Sequence, residues 1–565
     1  MSNYFSNFRA HLPFLALLLV LSIYLGLKTF PEEGWSGWEE GSAQTLLTLD
    51  HWDKDGAFNH KLFFIPIGMS GIVKYLDEPE LRQHARGTVT GYLIGRRLYY
   101  THYPPGYLFP FALLKKAGVD ERYGFRLLSL GISLAALVLM YAAFNQVSTP
   151  VFAFTAALYY GVSTMFLDYA DSLANHPIDD LLRFAIIFLS LFALKKDEAG
   201  RGRYTAAIWA LYFMLAASSY DSVIFIFVWL VGLDYLRWLG SKDRAGKGIP
   251  IKRWLLFAAA PAITFTLQLL QNWWYLGWDD LVLDIKGVLL YRVGNSSSSG
   301  KFWLRGKELL NTVQMMTGLS YYYALPALAL LAASCVYLRK RIFGRLPGLD
   351  IFVLFLIAGS AFAMVFAQTS DLKYQGRQLA PAISLIVAMG FFILIKIASG
   401  PRVLLNRKPG VSVAFFAALV LSISVLSFGQ VKRTVKYVMD WPNNVIDVET
   451  MRIFKSLGRM SEGDMIIASI VPDYSFDNPQ PLPRWEYYAG RTVLTFRTPD
   501  LFLKDLQILK RRAQGPFDVA ILTPNDDVIQ LLLPILGGRV QVFDSGHYAL
   551  FVKDPVVPED IFMKE

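Results

Sequence analysis

Cysteine is almost missing from these 565 residues. The one present, Cys335, lies inside an apolar run, so no intrachain disulfide and no cysteine metal site can form. Charge is scarce too. Only 18% of the residues are charged, against about a quarter in an ordinary soluble domain. With 54% hydrophobic residues and a mean hydropathy of +0.37, much of the chain must contact lipid. No basic patch interleaved with aromatics lies on a soluble stretch, so the net charge of +10 does not point to nucleic acid. No small-residue cleavage site follows the first apolar run, which reads as a retained membrane helix and not a removed signal peptide. There is no internal repeat, and the apolar runs are free of the mid-helix charges that mark a transporter.

What is present is a series of apolar runs. A spanning helix needs about 20 mostly apolar residues. Eleven segments qualify: 12–30, 125–145, 150–168, 178–194, 204–219, 222–238, 253–272, 319–338, 350–369, 379–398 and 411–430. The stretch 204–238 reads either as one long helix or as two short ones around Tyr220-Asp221. Loop charge favours two. With the N-terminus cytoplasmic, the inner loops hold Lys195, Lys196, Arg201, Arg203, then Lys242, Arg244, Lys247, Lys252, Arg253. Arg339, Lys340, Arg341, Arg345, Arg402, Arg407 and Lys408 follow, while the short outer loops hold little beyond Lys373 and Arg377. The positive-inside rule expects that asymmetry. One helix over 204–238 would invert every later loop.

This topology divides the chain into a transmembrane domain, 1–430, and an extracytoplasmic α/β domain, 431–565. The first includes the outer loops 31–124 and 273–318. Tyr107–Leu114, entered through Pro104-Pro105, is too short to span and is expected to lie as a helix in the interface. Asn295–Gly300 is a serine-rich stretch expected to be flexible. In the tail, Met465–Val471 and Val519–Thr523 read as buried strands. Leu501–Arg512 and Asp527–Leu533 have helical spacing, the second stopped by Pro534, and Val540–Phe543 with Tyr548–Lys553 suits a closing hairpin. The tail carries no catalytic cluster. It is expected to cap a site or bind a partner.

Four polar segments can carry chemistry. The first is Trp35-Ser-Gly-Trp-Glu-Glu-Gly41, followed by Asp50-His-Trp-Asp-Lys-Asp55. Asp53 and Asp55 read as solvated loop residues. Glu39 and Glu40 sit near the membrane boundary among aromatics, where partial desolvation raises the basicity of a carboxylate and fits one of them as a general base. The second is Tyr99-Tyr-Thr-His-Tyr-Pro-Pro-Gly-Tyr107. Its prolines fix the backbone, and His102 and Tyr103 can donate to a phosphate; an aromatic interface belt explains the segment equally well.

The third is Phe166-Leu-Asp-Tyr-Ala-Asp-Ser-Leu-Ala-Asn-His-Pro-Ile-Asp-Asp180. Asp168 and Asp171, three apart, would share a helix face and join Glu39 or Glu40 in an acidic site. Capping of the next helix by Asn175 explains part of the cluster. The fourth is Lys373-Tyr-Gln-Gly-Arg-Gln-Leu-Ala-Pro381. Arg377 can clamp a phosphate or snorkel to headgroups, and Lys373 is the neighbouring cation. A carboxylate base and phosphate-binding cations, both outside, suit displacement of a lipid phosphate from a sugar. The leaving group is already an anion and needs cations, not a general acid.

The ordered set resembles a known family. An acidic pair follows the first helix, then His102-Tyr-Pro-Pro-Gly-Tyr107, then Tyr123-Gly-Phe-Arg-Leu-Leu-Ser129 opens the second helix, and Arg377-Gln-Leu-Ala-Pro381 comes late. This is similar to the GT-C glycosyltransferases that use polyprenyl-phosphate sugars, a group including protein O-mannosyltransferases and the lipid A aminoarabinose transferase. The resemblance spans roughly residues 10–430 in layout.

It implies a GT-C-like polytopic α-helical membrane protein of about 11 transmembrane helices, with a C-terminal soluble α/β domain. It implies a catalytic carboxylate at Glu39 or Glu40, a second acid at Asp168 or Asp171, and donor-phosphate contacts at His102, Pro104-Pro105 and Arg377. An extra Tyr103 separates His102 from the prolines, and Gln378 stands where the family has Tyr. The implied partners are a polyprenyl-phosphate sugar donor, a glycan, lipid or protein acceptor, and membrane lipids. The implied location is the plasma membrane, with the C-terminal domain outside. No metal ligands are assigned, and relatives differ in whether they bind a divalent metal. A flippase for a lipid-linked sugar and a cell-envelope scaffold are the alternatives.

Overall fold

A computed structural model gives the architecture. It describes residues 2–29, 39–65, 101, 103–121, 123–196, 198–240, 249–279, 281–282, 285–286, 307–342, 349–365, 377–400, 409–440, 448–471, 480–481, 483–512 and 515–557. By contacts the chain forms two compact units. One comprises 1–31, 122–268 and 290–444; the other comprises 32–121, 269–289 and 445–565.

The first unit is helical. It contains α1 (Ser2–Thr29), α4 (Gly124–Val147), α5 (Pro150–Gly161), α6 (Thr164–Leu167), α7 (His176–Leu194), α8 (Glu198–Ser218) and α9 (Val223–Gly240). Then come α10 (Ile251–Leu276), which begins here, and α11 (Lys307–Thr317), α12 (Tyr321–Ile342), α13 (Leu349–Val365), α14 (Ala380–Ser399) and α15 (Pro409–Asp440). Each of the eleven apolar segments is thus helical over most of its described residues. Among the described residues, six helices are long and apolar enough to cross a membrane: α1, α4, α9, α10, α14 and α15. A helix that hides every backbone polar group within itself is what an apolar sequence must form in lipid. On α1, Leu17, Leu21 and Leu25 turn inward, while Leu19, Val20, Ile23 and Leu27 remain exposed as a lipid-facing stripe. The chain is a multi-pass membrane protein.

Helices pair α4 on α7, α7 on α8, α9 on α13, α5 on α14 and α12 on α15. Gly390 lets α14 approach its neighbours closely; a Cβ there would lie 2.7 Å from Leu331 Cδ1 and 2.8 Å from Ile423 Cδ1. The stretch 204–238 is two helices. Between them Ser219 Oγ accepts from Asp221 N at 3.2 Å, a serine turn that competes with the helical ladder.

Two expectations about the helical unit need correction. The third apolar run breaks at Val162-Ser163, and α6 ends at Leu167, so Asp168 and Asp171 lie in a turn and not on a shared helix face. The segment 273–318 also contains α11, which meets α12 at a 96° bend. The helices are also not free of buried charge: Arg183 in α7 and Asp234 in α9 are both buried, Asp234 paired with Arg253 at 3.1 Å.

The second unit holds α2 (Glu39–His51), α3 (Phe109–Lys116) and the C-terminal sheet. A 3₁₀ turn at Pro105–Leu108 leads into α3, so the expected helix after Pro104-Pro105 is present. The six strands are β1 (Met465–Ile470), β2 (Gln480–Pro481), β3 (Thr492–Phe496), β4 (Asp518–Thr523), β5 (Arg539–Val542) and β6 (Tyr548–Val552). Their order is β2-β3-β1-β4-β6-β5, with β1 parallel to β3 and β4, and the outer pairings antiparallel. α16 (Val448–Gly458) and α17 (Pro483–Ala489) pack with one face. α18 (Pro499–Arg512) and α19 (Asp526–Leu536) cover the other.

β1 shows why. Met465 and Ile467 enter one core, and Ile466, Ala468 and Ile470 the other, the period-2 alternation of a strand buried on both faces. α2 also packs against α17 within this unit. Pro534 does not stop α19. It falls in the last turn, where a missing N–H costs a single bond, and the helix ends at Gly537 (φ +66), whose N–H donates to Leu533 O.

Candidate active site: buried ion networks at helix ends

Two networks of buried charge lie in the helical unit. The first gathers on the turn after α6. Lys28, in the last turn of α1, donates to Leu167 O at 2.6 Å and pairs with Asp171 Oδ1 at 3.4 Å. Arg126, in the first turn of α4, donates through Nε to Asp171 Oδ2 at 3.1 Å and bonds the same oxygen through Nη2. Lys28, Arg126 and Asp171 are 0%, 1% and 2% exposed. Ions buried this deeply persist only when paired. Both oxygens of Asp171 are committed to cations, so it serves as a counter-ion joining α1 to α4. Asp168 accepts from Tyr437 OH on α15 at 2.9 Å, and the Lys28 ammonium stands 5.6 Å over the Tyr437 ring.

The second network joins α7, the break between α8 and α9, and the entry to α14. Arg377 Nη2 lies 3.0 Å from Asp179 Oδ2 and 3.9 Å from Asp221 Oδ2, and its Nε lies 3.8 Å from Asp180 Oδ1. Ser222 Oγ donates to Asp179 at 2.6 Å. Arg183 bonds Asp180 and contacts Ser222 Oγ at 3.3 Å. Tyr160 OH donates to Asp180 Oδ2 at 3.0 Å, and Gln378 bonds Asp221 O. Pro381 sets the first turn of α14 and so aims Arg377 and Gln378 just ahead of it.

The predicted site residues therefore fall in different places. Arg377 is buried among three acids. Asp171 and Asp168 sit in one turn with different partners. Asn175 is at the N-cap of α7 without a side-chain cap bond; its amide donates to Ser219 Oγ at 2.9 Å instead. Glu39 and Glu40 are the first two residues of α2, and only their backbone is described. Tyr103 is half-buried ahead of the extended Pro104. His102 and Lys373 lie outside the described residues.

Sequence reasoning gave no role to Lys28, Arg126, Asp179, Arg183 and Asp221, although Asp179 lay in the third polar segment and Arg126 in the motif that opens the second helix. The available signal was an ionisable residue inside or at the end of an apolar helix. A further group lies in the second unit: His51, Asp55 and His60 bring their ligand atoms within 4.8 Å of one another and can hold a metal. Burial, helped by neighbouring His60, pushes the His51 imidazole below its usual value.

No family model matches the chain, and no curated protein matches it. Solved structures do. The crystal structure of ArnT from Cupriavidus metallidurans bound to undecaprenyl phosphate gives a TM-score of 0.54 at 13% identity, over 95% of this chain and 98% of that one. The apo state of the same protein gives 0.53 at 14% identity, over 95% and 97%. The archaeal oligosaccharyltransferase AglB from Archaeoglobus fulgidus, in complex with an inhibitory peptide and a dolichol-phosphate, gives 0.49 at 12%, over 97% and 74%. The likeness to ArnT is one of fold: this chain has the GT-C fold.

Proposed function

We propose that this chain is an integral membrane glycosyltransferase that moves a sugar from a polyprenyl-phosphate donor to a glycan, lipid or protein acceptor on the non-cytoplasmic face. One observation carries the reading: the ArnT structure holding undecaprenyl phosphate shares this fold over 95% of the present chain. The ordered motifs from Glu39-Glu40 to Arg377 support it, and the cationic inner loops support a plasma-membrane protein with its C-terminal domain outside.

The reaction is an inverting displacement. Glu39 or Glu40 takes the proton from an acceptor hydroxyl or amine as that atom bonds to the anomeric carbon. The bond from the anomeric carbon to the lipid phosphate breaks, and its electron pair leaves on the phosphate. His102, Tyr103 and Lys373 meet that charge. Arg377, encircled by Asp179, Asp180 and Asp221, supports a different part, fixing the start of α14 against α7 and α9. Asp168 and Asp171 do the same for α15, α1 and α4.

Glu39→Gln and Glu40→Gln, made singly and assayed in membranes supplied with polyprenyl-phosphate sugars, test the base. One of the two should lose about 10²–10⁴-fold in transfer rate. Transfer that survives both changes would remove the base assignment. Absence of transfer by the unaltered chain with every donor and acceptor extract would remove the enzyme reading.

A further inference from the structure

Among the described residues, one cluster outside the ion networks brings three metal-ligating side chains together. α2 ends at His51 and runs on as a single π-helical turn, Trp52–Gly56. Four-residue spacing along it sets His51 Nδ1 4.0 Å from Asp55 Oδ2. The chain then reverses at Gly56, whose φ of +89° suits the turn. Asn59 N donates to Gly56 O at 3.1 Å and Leu62 N to Ala57 O at 2.9 Å. The reversal returns His60, with Nε2 3.2 Å from Asp55 Oδ2.

The loop is built to hold this shape. Lys61 and Leu62 both adopt left-handed backbone, at φ +52° and +60°. Such conformations persist in non-glycine residues only where the surroundings enforce them. Here Trp52 Nε1 donates to Phe63 O at 3.1 Å, Thr48 Oγ1 exchanges bonds with the Ile65 backbone at 2.9 and 3.0 Å, and Gln271 Nε2 donates to Lys61 O at 2.6 Å. The Lys61 ammonium stands 5.2 Å over the Trp274 ring.

We propose that His51, Asp55 and His60 form a binding site for a divalent cation of the zinc class, with the fourth position left to water. Two imidazoles and one carboxylate suit zinc and disfavour magnesium or calcium, which take all-oxygen shells. At metal–ligand distances of about 2.0–2.2 Å a tetrahedral site separates its donors by about 3.4 Å. The 3.2 Å separation already matches, and the others, all within 4.8 Å, close with rotamer-scale movement. The Asp55 side chain is 48% exposed and the two imidazoles 19% and 16%, so the open position faces solvent. A bound cation would clip residue 60 to the end of α2. The proposal does not depend on the transferase reading.

The test uses the full chain in detergent, stripped with a chelator and titrated with zinc chloride by calorimetry and with cobalt(II) by visible absorption. One equivalent should bind, with cobalt(II) giving the intense d–d bands of a tetrahedral site. His51→Ala and His60→Ala should each weaken zinc binding more than the roughly 10–100-fold that losing a supporting hydrogen bond costs. His60→Cys should keep binding and add a thiolate-to-cobalt charge-transfer band, which a misfolded loop could not produce. No saturable binding in the unaltered chain, unchanged affinity in His51→Ala and His60→Ala, or no charge-transfer band in His60→Cys would each overturn the site.

Discussion

Replacing Asp505 by Asn should abolish most of the pH dependence of stability in the C-terminal sheet domain. Asp505 lies on α18, between Phe502, Leu503, Leu506 and Leu509 of one core, and is 3% exposed. Burial lifts its carboxyl from 3.8 to about 7, with Lys504 pulling weakly the other way. The folded domain therefore holds this proton more tightly than the unfolded chain does. Its contribution is most favourable below about pH 4, is lost as pH rises, and levels off above about pH 7. At about 1.36 kcal/mol per decade of proton affinity, the difference amounts to about 4 kcal/mol. Amide hydrogen exchange on the full chain in detergent, corrected for intrinsic rates, reads the opening free energy of α18 and β3 directly. The unaltered chain should lose about 4 kcal/mol of protection between about pH 4 and pH 8, and Asp505→Asn less than about 1. Equal slopes in the two proteins would refute the reasoning.

Asp171→Asn takes the carboxylate away from buried Lys28 and Arg126 and should cost about 3–5 kcal/mol, read as a large fall in the thermal midpoint of the detergent-purified chain; an unchanged midpoint would show that the pair is not holding α1 to α4. Gly458→Ala would set a Cβ 1.9 Å from the Ala489 backbone oxygen. That overlap should push α16 off α17 at about 1–3 kcal/mol, seen as faster proteolysis of the sheet domain with the membrane helices intact.

Much of the fold was legible because lipid and sheet cores impose strict patterns. The apolar runs became helices, the third broken in two, and β1, β4 and the β5–β6 hairpin followed from apolar runs bounded by turns. β3 was missed because Thr492–Phe496 is five residues long, too short for its period to distinguish it from a helix segment. α11 and α16 were missed because their polar faces resemble loop sequence. The site was less legible. Arg377 and Asp179 are 198 residues apart, and no spacing rule says which acid a distant cation will meet. Arg377 stood out in the sequence as one of very few outer cations, but its three acidic partners reached it through tertiary packing. Four-residue spacing pairs His51 with Asp55, but only the reversal at Gly56 adds His60.

The pairing of Arg377 with Asp179 also bears on how the protein is made. At about 5–20 residues per second, a ribosome needs roughly 10–40 s to reach Arg377 after Asp179 has emerged. Through that interval Asp179 and Asp180 have Arg183, on the same helix, as their nearby counter-ion. If Asp179 and Asp180 enter the bilayer before Arg377 is made, Arg183 is the counter-ion their own helix supplies, and it stays paired with them in the finished fold. Losing Arg183 should therefore lower both the yield of inserted chain and the stability of the purified protein.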